Sequence, residues 1–247
     1  MNKFVTIAIG TILCSAPVLA GEGADWGYSG DKSPEKWGSI KQDYSVCDTG
    51  KLQSPFDVKA TFKAADLPDI KVSYKSMPLS LSSGENGLTI QAAAGNKITV
   101  GDDVYELLQF HFHTPSEYKV NGKSYPMEMH LVHKRVSDGA LGVFAVMVAK
   151  GAENSHIKTI WDNIPEKGSK AEPKDVSINL ADLLPKSMKY TRFMGSLTTP
   201  PCSEGVNWHM LSAPITVSDS QIAKFTSIYG NNARPIQPAN DRLVVSE

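Results

Sequence analysis

The stretch 109–117, Gln-Phe-His-Phe-His-Thr-Pro-Ser-Glu (QFHFHTPSE), decides how the chain is read. Two of the six histidines sit there two positions apart, with phenylalanine between them. In a β-strand successive side chains point to opposite faces. Gln109, His111 and His113 therefore share one face, and Phe110 and Phe112 share the other, where they are expected to enter the core. Thirteen to nineteen positions on runs a second strand-like segment, "MEMHLVHK", starting at Met127. "NGK" at 121–123 has the composition of a tight turn, so the second strand can return antiparallel to the first. Glu128, His130 and Val132 then share a face. His130 can join His111 and His113, while Met129 and Leu131 face the core.

Three neutral imidazoles that leave one position open make a catalytic rather than a structural zinc arrangement. Thiolate-rich zinc folds are excluded by composition, because the chain has only three cysteines. Gln109 and Glu128 precede ligands by two residues on the same face. They are placed to accept hydrogen bonds from the far nitrogens of His111 and His130, fixing tautomer and ring orientation. His133 has the wrong parity for this site, and it, His156 and His209 are read as ordinary residues.

Around this pair of strands the pattern is predominantly β. "LSLSS" (79–83), "LTIQAA" (88–93), "KITV" (97–100), "YELLQFHFH" (105–113) and "LGVFAVMVA" (141–149) are short, apolar or alternating, and separated by Gly, Asn and Asp. Two helices are expected. "ENSHIKTIWDNI" has Asn154 or Ser155 as cap. "SDSQIAKFTSIYG" carries a Ser218/Gln221 capping box and a terminating Gly230. No repeat or composition break marks a second domain. The expectation is a mainly β single domain with a large, mostly antiparallel twisted sheet and a few short peripheral helices.

With 247 residues and a formal net charge of −1, the chain gives no sign of a nucleic-acid or anionic-membrane partner. The first twenty residues, with Lys3, an apolar run from Phe4 to Leu13 and small residues at Val18 and Ala20, read as a secretory leader cleaved after residue 20. The mature domain is then 21–247, exported to the periplasm or secreted, without stable membrane insertion, and monomeric or homodimeric. Cleavage leaves Cys47 and Cys202. In an exported chain such a pair is expected to form a disulfide, two buried free thiols being the alternative.

The sequence resembles the α-class carbonic anhydrases. The likeness is carried by "WGYSG" (26–30), "QSP" (53–55), QFHFHTPSE, "EMHLVH" (128–133), "GSLTTPPCSEGVNW" (195–208) and "NARPIQP" (232–238). It implies one zinc ion on His111, His113 and His130, and a zinc-bound hydroxide that attacks carbon dioxide to give bicarbonate. It also implies that Thr198 accepts the hydroxide's proton, that Glu117 accepts from Thr198, and that Val132, Val143, Leu197 and Trp208 wall the substrate. Thr199 and Gln91 would line the wetter side. The cysteine pair matches positions bridged in exported members. Two departures stand out. Leu88 occupies the position where a proton-shuttling histidine is common, which implies turnover limited by proton transfer. Tyr118 stands where histidine is frequent. Two other functions fit parts of the pattern. A non-catalytic carbonic-anhydrase-like binding module would usually have lost zinc histidines. A cupin-type metalloenzyme would use Glu117 of H-x-H-x₃-E as a ligand, but this chain has Tyr105 where a cupin has glycine.

Overall fold

The computed structural model describes residues 25–60, 62–64 and 66–247; the leader segment 1–20 lies outside them. Within the described residues the expected strands are present. We label six that build the site: β1 (Leu88–Gln91), β2 (Asp103–His113), β3 (Met127–Arg135), β4 (Leu141–Lys150), β5 (Tyr190–Ser196) and β6 (Glu204–Leu211). They lie in the spatial order β1-β2-β3-β4-β6-β5 within a 13-stranded sheet.

The β2–β3 pair is antiparallel, with Glu128 opposite His113 and His130 opposite His111. The turn that returns the chain uses Asn121 (φ 50°) and Gly122 (φ 79°), closed by a Val120–Lys123 bridge. Two consecutive left-handed residues are what a tight two-residue hairpin turn requires, and Asn-Gly supplies them at little steric cost. β3 pairs antiparallel with β4, and β1 with β2, setting Thr89 opposite His111 and Gln91 opposite Gln109.

The sheet is mostly antiparallel, as expected, but mixed. β4 runs parallel to β6 and to the short strand Ile215–Val217, and Val244–Ser246 runs parallel to Phe62–Lys63. Parallel neighbours need long crossovers, and between β4 and β6 the chain passes through helix α1 (Ser155–Trp161) and strand β5. Helix α1 is capped by Asn154, whose side chain accepts from the amides of His156 and Ile157. Helix α2 (Asp219–Tyr229) carries the Ser218/Gln221 capping box and ends at Gly230 (φ 66°).

Two apolar layers sandwich the sheet. Phe110, Phe112, Met129, Leu131, Phe144 and Ile90 face one way, into a core that includes Phe225 of α2. Val132, Val143, Ala145, Trp208 and Phe193 face the other, against Phe56 and Tyr118. The period-2 alternation therefore does two jobs at once. It buries the phenylalanines, each worth about 2–3 kcal/mol on leaving water, and it fixes the direction of the histidines between them. Cys47 and Cys202, 155 positions apart, form a disulfide that ties the N-terminal helical turns to the segment following Thr198 and Thr199. On a chain-entropy model a loop of that size is worth roughly 4–5 kcal/mol.

Candidate metal centre

His111, His113 and His130 converge. Each offers one ring nitrogen, and the three atoms lie within 4.8 Å of one another. The opposite nitrogen of every ring is held. His111 Nδ1 donates to Gln109 Oε1 at 2.8 Å. His113 Nδ1 donates to the Asn232 carbonyl at 2.8 Å. His130 Nε2 lies 2.9 Å from Glu128 Oε1. A carbonyl has no proton to give, so His113 must carry its proton on Nδ1, leaving Nε2 as a lone pair. By the same pattern His111 offers Nε2, and His130 offers Nδ1 when Glu128 is ionised. His113 Nε2 is buried without a hydrogen-bond partner. Such an atom normally costs about 1–3 kcal/mol, a cost that a metal ion removes. The donor set, three imidazoles with no thiolate, suits zinc and leaves room for a fourth, non-protein ligand.

Burial also holds the rings neutral. It pushes the His111 pKa well below its usual 6.5, with the like charges of His113 and His130 adding to the effect. It lowers His113 to about 4 against the opposing pull of Glu117, and His130 to about 3. The site is therefore a nest of unprotonated imidazoles at neutral pH, the state a metal needs.

Two buried carboxylates frame it. Glu128 Oε2 accepts from the amides of Glu117 and Tyr118 at 2.8 and 3.0 Å. Burial raises its pKa to about 8, and the two amides pull the other way. Glu117 Oε1 accepts from the Arg234 amide at 2.9 Å. Its Oε2 lies 3.3 Å from His113 Nε2, beside the convergence but not part of it. Burial raises Glu117 to about 6, opposed by the nearby His113 and Thr198 and by the Arg234 amide, while its Oε2 has no hydrogen-bond partner among the described residues.

The other residues singled out by the resemblance have the following surroundings. Val132, Val143 and Trp208 are buried in one apolar cluster, with half-buried Leu197 packed against it. His130 stacks edge-on against Trp208, with ring centroids 4.9 Å apart. Thr198 is buried and Thr199 half-buried. Ser54 and Ser196 fix the start of the Leu197–Thr198 segment through reciprocal bonds: Ser54 N donates to Ser196 Oγ and Ser196 N to Ser54 Oγ. Tyr118 joins them, its hydroxyl donating to Ser54 Oγ at 2.7 Å.

Leu88 differs from expectation. It is fully buried and belongs to the main core with Ile90. Alternation on β1 gives Thr89 and Gln91, not Leu88, the face that meets His111 and Gln109. His133 and His209 are also buried, on the face away from the triad, while His156 is exposed. Sequence reading missed two groups, the Asn232 carbonyl and the Arg234 amide. Both lie in an irregular segment where no period predicts which way a backbone group points.

Comparison with known proteins agrees with this geometry. A family profile described as eukaryotic-type carbonic anhydrase matches residues 32–247. A carbonic anhydrase of Klebsiella pneumoniae is 44% identical over 225 residues, covering 89% of this chain and 90% of the relative. The structure of Photobacterium profundum α-carbonic anhydrase superposes with a TM-score of 0.83 at 41% identity, covering 90% of this chain and all of that one. The α-carbonic anhydrase from Thermovibrio ammonificans, solved with the inhibitor sulfanilamide, gives 0.86 at 39% identity, covering 91% and 100%.

Proposed function

The chain belongs to the α-class, eukaryotic-type carbonic anhydrase family and is an enzyme of that family, and from this premise we propose that it hydrates carbon dioxide reversibly with one zinc ion held by His111, His113 and His130. The observation that carries the proposal is the convergence of three unprotonated nitrogens whose opposite nitrogens are all engaged. A zinc ion supplies Lewis acidity, lowering the pKa of a coordinated water to about 7, which is the established figure for carbonic anhydrases rather than one calculated for this site.

The chain's own groups do the rest. Neutral imidazoles leave the ion's charge unquenched, whereas carboxylate ligands would weaken it. Burial opposes ionisation of Glu128, and a cation held by the three imidazoles would favour it. An ionised Glu128 holds His130 in the Nε2–H tautomer. Thr198 has a single hydroxyl proton. With that proton directed to Glu117, only its lone pairs are left for the reacting oxygen, which must then donate to it. This aims the nucleophile's own lone pair at the substrate, a positioning effect. Val132, Val143, Leu197 and Trp208 offer carbon dioxide a dry wall, suited to a neutral, apolar substrate.

Removal of the product proton is the weak step in this reading. Leu88 cannot carry a proton, and no histidine other than the ligands lies on the site face of β1, β2 or β3. Solvent and buffer therefore take that role. A cupin-type centre with Glu117 as ligand falls with the family assignment, and what argues against a non-catalytic module of the same family is that His111, His113 and His130 are all present and grouped, together with Thr198 and Glu117. We also read the chain as exported, periplasmic or secreted, with residues 1–20 as leader and 21–247 as the domain. The Cys47–Cys202 bridge supports an oxidising compartment. Among the described residues no helix is long and apolar enough to cross a membrane.

The test is stopped-flow carbon dioxide hydration on the protein before and after zinc chelation. Activity that disappears with the metal and returns on adding zinc is expected. Activity indifferent to chelation overturns the proposal.

A further inference from the structure

Asn232 does more than lend a backbone carbonyl to His113. It is 1% exposed, three residues beyond the end of α2, and it engages the strand end on both sides of the ligand. Its carbonyl accepts from His113 Nδ1. Its side-chain Oδ1 accepts from the Thr114 amide at 2.7 Å, and its own amide donates to the Thr114 carbonyl at 3.0 Å. Its side-chain Nδ2 donates to the Phe112 carbonyl at 3.1 Å and to the Asn86 carbonyl at 3.2 Å. One residue thus grips the ring of His113 and the peptide groups before and after it. It also reaches the turn that leads into β1, where a Cβ on Gly87 would come within 3.2 Å of Asn232 Nδ2.

The physical need is clear from the topology. β2 ends at His113, and the chain leaves the sheet at Thr114. Glu128 is the last β3 residue paired with β2 at this end, opposite His113 itself. A metal ligand at the last position of a strand has rotational freedom that a mid-strand ligand such as His111 lacks. Ligand rings must be held closely for metal affinity, and groups that orient them typically matter 10–100-fold. The Asn232 amide side chain continues the ladder that the sheet no longer provides, pairing Phe112 and Thr114 as a neighbouring strand would.

We propose that the Asn232 side chain is a positioning residue for the metal centre: by clamping Phe112 and Thr114 it sets the direction of His113 Nε2 and so the affinity for zinc. This rests on the reading that the triad binds zinc.

The experiment uses the whole protein, with Asn232→Ala, the near-isosteric Asn232→Asp, and Asn96→Ala as comparator. Asn96 is equally buried and makes side-chain bonds of the same kind, to the Lys75 amide and the Ala93 carbonyl, but is no neighbour of the triad. Zinc affinity is measured by chelator competition, the visible spectrum of the cobalt-substituted protein reports ligand geometry, and thermal midpoints are recorded with and without metal. Asn232→Ala is expected to weaken zinc 10–100-fold and to alter the cobalt spectrum. Asn232→Asp keeps the acceptor for the Thr114 amide but sets a carboxyl oxygen against the Phe112 and Asn86 carbonyls in place of the Nδ2 donor, so it too should weaken zinc and alter the cobalt spectrum. Asn96→Ala should lower the metal-free midpoint yet leave zinc affinity and spectrum unchanged. If Asn232→Ala does not fold, Asn232→Asp decides alone. Unchanged affinity and spectrum in the Asn232 variants, or an equal loss in Asn96→Ala, overturns the inference. An unaltered protein that takes up no zinc overturns the underlying metal reading instead.

Discussion

Replacing His209 with phenylalanine is expected to make the protein more stable, and increasingly so as the pH falls. His209 lies on the face of β6 away from the triad, 1% exposed. Its ring stacks on Phe144 with centroids 4.5 Å apart and planes at 10°, and meets Tyr105 edge-on at 6.0 Å. Neither ring nitrogen has a hydrogen-bond partner among the described residues. Burial, with the nearby charges of Arg192 and His133, holds its pKa down to about 3, only partly offset by the Asn207 backbone.

Two effects follow. A buried polar group without a partner costs about 1–3 kcal/mol, while the larger phenyl ring must fit a close-packed site, so a net gain of about 1 kcal/mol is expected at pH 7.5. The second effect is linkage. The unfolded chain binds a proton on this ring near pH 6.5, and the folded chain only near 3. Stability is therefore lost as pH falls below 6.5, at up to about 1.4 kcal/mol per pH unit, levelling off near 3. Between pH 7.5 and 4.5 this sums to about 2.7 kcal/mol, which the phenylalanine variant does not lose. The stability difference should widen from about 1 to about 4 kcal/mol. Urea unfolding of both proteins, stripped of metal so that metal binding does not enter, measures it at pH 7.5, 6.5, 5.5 and 4.5. A difference that does not change with pH, or a variant less stable throughout, refutes the reasoning.

Three further outcomes are expected. Glu128→Gln removes the carboxylate beside His130 Nε2 and should weaken zinc 10–100-fold in chelator competition; unchanged affinity would mean that Glu128 does not orient its ligand. Turnover in stopped flow should rise with the concentration of an imidazole buffer, because positioned acid–base groups typically contribute about 10²–10⁴-fold and none stands at the shuttle position. Buffer-independent turnover in the unaltered protein would reveal a shuttle elsewhere in the chain. Tyr118→Phe removes the bond to Ser54 Oγ and should cost about 1 kcal/mol in denaturant unfolding, with turnover changed little; a large loss of turnover would place Tyr118 in the catalytic arrangement.

How much of this was legible in the sequence depended on local period. The alternation in QFHFH and MEMHLV carried the ligands, the two orienting side chains and the core phenylalanines, because a strand's side-chain direction is set residue by residue. The Ser218/Gln221 box and the Asn-Gly turn were legible for the same reason: their chemistry is complete within a few positions. The parallel pairing of β4 with β6 was not, since register between strands about sixty residues apart follows from packing rather than from either strand's pattern. The resemblance puts Leu88 at the shuttle position but does not give its direction; at the start of a short strand its side chain packs into the core. His133 and His209, excluded from the site by parity or position, are core residues packed on Phe144. The Asn232 carbonyl was beyond reach, because backbone groups in irregular segments carry no signature in the side-chain sequence.

The central claim is three imidazole nitrogens on one ion with a single non-protein ligand beside them. Zinc-edge X-ray absorption on the stoichiometrically loaded protein measures that shell directly. The account predicts one zinc per chain with three imidazole nitrogens and one oxygen. A shell with fewer than three imidazoles, or with a carboxylate from Glu117 among its ligands, would contradict it.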